Sequence, residues 1–158
     1  MMNDLQYRNV YDEQLSKLNE HLEIIEEHLH TSFPEIYNHL VDEMFVNLVP
    51  VFTNIITTIF VADLQQTAPR IACHIFDVFL IDGEKVVFTL LMKFIGLKEE
   101  KILELVDDDL LRYMKTKLPI ECLTENSMDE LFDFNATIEW MHQDWHSYSR
   151  WCTALLLL

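Results

Sequence analysis

Apolar residues recur along most of this chain at spacings of three and four. From Glu13 to Leu29 the series Leu15, Leu18, Leu22, Ile25 and Leu29, with Glu and Lys between, marks one face of a helix. Thr31-Ser32 and Pro34 end it. Ser32 followed by Glu35 reads as a capping box for a short helix carrying Ile36, Tyr37, Leu40 and Val41. Pro50 opens an uncharged helix that ends near Ala62. Thr67 is placed to cap the next, with Pro69 in its first turn and Ile71, Ile75, Phe76, Val78, Phe79 and Leu80 along it. Asp82-Gly83 breaks that helix, Gly83 suiting a left-handed position after its end. Glu84 then begins a helix through Val86, Val87, Leu90, Leu91 and Phe94, stopped at Gly96, and Lys98 to Leu105 is a short amphipathic segment. Asp107 caps a helix with Leu110, Leu111, Met114 and Leu118, closed by Pro119. Beyond it the pattern weakens: Ser127 caps a helix through Leu131, and a second helix covers Thr137 to Tyr148. Nothing alternates with period two for long, so the expected fold is an all-α helical bundle.

Composition agrees. Half of the 158 residues are hydrophobic, enough for a real core in one domain. Only 2 glycines and 4 prolines leave little for the tight turns of an all-β fold. From Met44 to Ala62 no residue is charged, close to the run of about 20 apolar residues that spans a bilayer. Asn47, Asn54, Thr53, Thr57, Thr58 and Pro50 interrupt it, and Asp42, Glu43 and Asp63 flank it without a positive anchor. A helix buried in a bundle is the expectation, with no membrane span.

The net charge of −16 excludes a phosphate-tracking groove, so no nucleic acid is expected as a partner, and anionic lipid is equally disfavoured. Cys73, Cys122 and Cys152 are odd in number and widely spaced, which fits reduced thiols and a cytoplasmic setting rather than a disulfide frame or zinc site. Met1 to Tyr11 is polar and charged, unlike a signal peptide.

Candidate chemistry is sparse. Asp107, Asp108 and Asp109 look like a metal run, but neighbours on a helix point apart, and an acidic first turn is the plainer reading. His21 and His28 are expected at the surface, and Cys73-His74 face apart rather than forming a dyad. Trp140, Trp145, Tyr148 and Trp151 cluster late in the chain, either as core or as an edge against a partner. Leu155 to Leu158 reads as a sticky tail or a cut edge. No cofactor is expected.

The segment Pro69 to Phe94 carries an aromatic-Asp pair, Phe76-Asp77, then apolar residues, an acidic-Gly turn at Asp82-Gly83-Glu84, and an apolar helix containing Phe88. Upstream stand Ile55 to Phe60 (IITTIF) and Leu29 to Leu40 (LHTSFPEIYNHL), and downstream Leu118-Pro119. In this order the elements resemble the C-terminal half of a TBC domain, the all-helical module that activates Rab-type small GTPases. The resemblance covers residues 4–119 as a TBC-like C-terminal lobe and leaves 120–158 as an unmatched helical tail. It departs where Phe76 replaces the family's tryptophan, His74 its arginine two positions earlier, and Ile55 an earlier tryptophan. Phe76, Asp77, Asp82, Gly83 and Phe88 correspond to structural positions of the motif, with Asp77 expected to bond near the Gly83 turn.

What the resemblance implies is regulation of Rab-type GTPases in membrane traffic, in the cytoplasm and at the periphery of endomembranes. The family works with two fingers. An arginine neutralises charge on the transferring phosphoryl group, and a glutamine orients the attacking water. The arginine lies in Ile-x-x-Asp-x-x-Arg and the glutamine in Tyr-x-Gln. None of Arg8, Arg70, Arg112 and Arg150 follows an isoleucine and an aspartate at that spacing, and no glutamine follows a tyrosine by two. No catalytic residue is therefore assigned, and the chain is read as a regulator rather than an enzyme, either a fragment or a non-catalytic member. Self-association, or docking with a missing N-terminal half, is the expected consequence of a half-domain. The alternative is a non-catalytic helical interaction module unrelated to GTP hydrolysis.

Overall fold

The computed structural model describes residues 15–127 and 130–131, all of whose regular structure is helical. Helix α1 (Ser16–Ser32) buries Leu18, Leu22, Ile25 and Leu29 as its spacing requires. It also buries His21 and His28. These histidines lie on the leucine face, so the expected surface placement is corrected. Leu15, expected on the apolar face, is exposed ahead of the first turn.

The helix runs on to Ser32, and Phe33 N–H closes it on Leu29 O at 3.0 Å. Ser32 therefore remains helical and cannot cap. Phe33 takes the cap position of α2 (Pro34–Tyr37) without a side-chain bond, and the expected capping box does not form. From Asn38 to Glu43 the chain winds on as a π turn.

Helix α3 (Leu48–Thr58) starts before Pro50 because the Asn47 side chain accepts the Val49 N–H at 3.0 Å. It stops short of Ala62. Ile59 and Phe60 adopt φ of 53° and 61°, uncommon for bulky residues, and α4 (Val61–Leu64) follows. That kink seats Phe60 edge-on against Phe94, ring centroids 5.5 Å apart. The uncharged stretch is thus broken, and among the described residues no helix is long and apolar enough to cross a membrane.

Helix α5 (Pro69–Asp82) begins after Ala68. Thr67 does not cap it, its hydroxyl donating back to Asp63 O instead. Helix α6 (Lys85–Leu97) buries Val86 through Met92, Phe94 and Ile95. A helix buried on nearly every side belongs in the middle of a bundle, and α1, α5, α7 (Glu99–Glu104) and α9 (Leu118–Glu125) pack around it. Gly96 does not stop α6. A Cβ there would meet the Phe33 ring at 3.3 Å, so the glycine serves a close approach between helices.

Helix α8 (Asp107–Arg112), a second π turn (Tyr113–Lys117) and α9 follow without a break. Val106, not Asp107, takes the cap position of α8. Pro119 lies in the first turn of α9 and does not end the helix. A mid-helix proline removes one N–H and crowds the carbonyl four residues back. The π turn just before it, with Leu118 N–H bonded to Tyr113 O, widens the rod where that crowding falls. Leu118, Cys122, Leu123 and Leu131 are buried, so the core continues past the expected boundary at 119. Ser127 behaves as its sequence suggests: its N–H donates to Glu130 Oε2 and its hydroxyl accepts Glu130 N–H, a reciprocal capping box. The helix expected from Thr137 to Tyr148 lies outside the described residues.

Candidate functional site

Asp82 and Gly83 form the corner between α5 and α6, with Phe76 and Asp77 earlier on α5 and Phe88 in α6. Gly83 ends α5 with φ 78° and ψ −161°, a region open essentially to glycine alone, and its N–H bonds Phe79 O at 2.8 Å. Asp82 faces Lys85 across the turn at 3.8 Å. Phe88 is buried one turn into α6, its ring meeting His21 edge-on with centroids 4.9 Å apart.

The two members of the aromatic-Asp pair behave differently from Phe88. Phe76 is 42% exposed and stacks on Phe79 at 6.1 Å. Asp77 is exposed, and among the described residues it makes no hydrogen bond to the Gly83 turn. The expected structural bond is absent, because Asp77 lies on the outer side of α5. Only Ala72, Ile75 and Phe79 of α5 are buried, and Ile81 is 82% exposed.

The residue that secures the corner is Glu84, the last residue of the acidic-Gly turn, at the cap position of α6. Its carboxylate sits 3.2 Å from His21 Nε2 and 3.5 Å from Lys17 Nζ, which also pairs with Glu20 at 3.2 Å. Burial alone would raise the Glu84 carboxyl, but the His21 hydrogen bond and the charges of His21 and Lys17 outweigh it and hold the group below its usual range. Lys17 is raised against its own burial by Glu84 and Glu20. The sequence signals half of this clamp: His21 falls on the Leu18–Leu22–Ile25 face, where a buried histidine calls for a polar partner, but nothing local names Glu84 as that partner.

The other candidates stay apart. Cys73 is exposed, while Cys122 is buried with Sγ 3.8 Å from Phe94 O, and burial pushes its thiol up to about 12. Asp107, Asp108 and Asp109 form the exposed first turn of α8, and no group of residues suited to a metal ion occurs among the described residues. Val106, Asp109 and Arg112 share the arginine-finger spacing with valine in place of isoleucine. They follow the Phe76–Phe88 motif instead of preceding it, so no role is carried over to Arg112. A groove of about 450 Å³ opens at the α6–α7 corner beside Lys98 and Lys101, whose ammonium groups are paired with Glu125 and Glu121. Trp140, Trp145, Tyr148, Trp151, Cys152 and Leu155 to Leu158 lie outside the described residues.

No curated protein and no solved structure matches the chain significantly. A family model, the Rab-GTPase-TBC domain, matches residues 1–103, a span that ends in α7 and takes in the whole α5–α6 corner. With that match over some two thirds of an all-helical chain, the chain belongs to the Rab-GTPase-TBC domain family.

Proposed function

We propose that this chain is a divergent C-terminal lobe of a TBC domain, a regulator of Rab-type small GTPases in membrane traffic that acts from the cytoplasm at endomembrane surfaces. The observation that carries the reading is the family match over residues 1–103. The lobe is taken as residues 4–119, with α9 carrying its core onward. Catalysis is not assigned to this chain, because neither finger motif occurs in it. The exposed apolar side chains Phe76 and Ile81 of α5 support a second element of the reading, that α5 is covered by an N-terminal half or by self-association.

The test is GTP hydrolysis by a panel of Rab proteins with the chain added. A finger is worth about 10³ to 10⁵ in rate, so its absence leaves hydrolysis at the intrinsic level. The same panel is then assayed for binding. Capture of a Rab protein without stimulation supports a non-catalytic regulator. Binding to no Rab protein, with or without a supplied N-terminal half, points to the other reading, a helical interaction module, which the uncovered α5 face also favours.

A further inference from the structure

His39 joins two segments that the bundle otherwise leaves at its edge. It lies on the first π turn and is 7% exposed. Nδ1 is 2.9 Å from Glu43 Oε2, and Nε2 is 2.8 Å from the carbonyl oxygen of Leu105, between α7 and α8. A carboxylate and a carbonyl both accept hydrogen bonds. A neutral imidazole has one N–H and can satisfy one of them, whereas the imidazolium satisfies both.

Each tied segment carries a left-handed residue and an exposed apolar side chain. Phe45, just after the π turn, has φ 52° and is 84% exposed. Asp107, just after the Leu105 link, has φ 49° beside exposed Val106. Left-handed non-glycine residues persist where their surroundings over-determine them. We propose that His39 is a proton-dependent latch: the protonated ring ties the first π turn to the α7–α8 link, and loss of its proton releases one of those ties and loosens the Phe45 and Val106 segments.

The charged groups on the neighbouring elements are mostly acidic. On its own turn stand Asp42 and Glu43, and Glu35 lies on α2. On α7 stand Glu99, Glu100, Lys101 and Glu104, with Asp107, Asp108 and Asp109 opening α8. Of the cations on these elements, Lys101 is paired with Glu121 and Arg112 closes α8. The hydrogen bond to Glu43 raises the His39 pKa above its usual 6.5, outweighing the burial that lowers it, and the Leu105 carbonyl adds to the rise. The latch is therefore closed below that usual value and opens as pH rises through the elevated one.

The experiment follows the His39 ring by NMR and the amide protection factors of residues 44–46 and 105–107 between pH 6 and 9. It uses the whole chain and the variants H39Q and E43Q. In the unmodified chain the ring titrates above 6.5, and protection falls about tenfold through that midpoint, the worth of one charge-assisted hydrogen bond. E43Q moves the midpoint down, and H39Q abolishes the step. A ring that stays neutral throughout, an unmoved midpoint in E43Q, or a step that persists in H39Q overturns the proposal. Should H39Q fail to fold, the E43Q midpoint decides.

Discussion

Glu84, at the corner of α5 and α6, reaches back 63 residues in sequence to His21 in the middle of α1, its Oε2 lying 3.2 Å from a ring nitrogen of a histidine that solvent does not touch. This contact fixes the first helix of the bundle to its central one. It also makes the family-like turn a structural joint.

Glu84→Ala is expected to cost about 1–3 kcal/mol, because it strips a buried ring nitrogen of its partner. Denaturant melts at neutral pH check the loss. The folded carboxyl titrates below its unfolded value, so its contribution is present above the usual glutamate range and fades as pH falls through the lowered folded value. Glu84→Gln should flatten that acid limb of the stability profile. An acid limb unchanged in Glu84→Gln would show that other carboxylates set it.

Gly83→Ala isolates backbone strain. A methyl group there meets nothing within 4 Å, so no clash contributes, yet φ 78° with ψ −161° disfavours any side chain. The expected loss is about 1–3 kcal/mol. A thermal melt with no change in midpoint would mean that the turn relaxes freely.

The motif's aromatic residues should separate. Phe88→Ala, in the core, is expected to cost about 3–5 kcal/mol. Phe76→Ala should cost about 1 kcal/mol or less, since it loses part of one stack. Sedimentation velocity tests the complement: if the α5 face mediates association, Phe76→Ser shifts the chain toward monomer while its melting point barely moves.

Thiol labelling should distinguish Cys73 from Cys122. Cys73 is exposed and reacts in the folded protein, whereas Cys122 reacts only on unfolding, its thiol being buried and pushed up to about 12. Mass spectrometry of a timed alkylation reads the order directly. Rapid modification of Cys122 under native conditions would place α9 away from α6.

Helix positions were largely legible because periodicity reports which face is buried, and burial is what stabilises these helices. Punctuation was less so. Ser32, Gly96 and Pro119 each have a local preference for ending or capping a helix, and each was overridden by tertiary structure. Ser32 is enclosed by a helix that runs one turn longer, Gly96 makes room for Phe33, and Pro119 follows a widened turn. Ser127 kept its preference, its capping box with Glu130 intact. The corner motif was visible as a pattern, but its clamp was hidden. Pairing Glu84 with His21 requires knowing that α1 and α6 are neighbours, which no local window contains.

The burial of α6 on nearly every side has a consequence for how the molecule comes apart. A helix at the rim can peel away while the rest stays intact, but one enclosed by its neighbours cannot emerge until they have left. Amide protons of α6 should therefore exchange only through complete unfolding, making this segment the slowest clock in the chain.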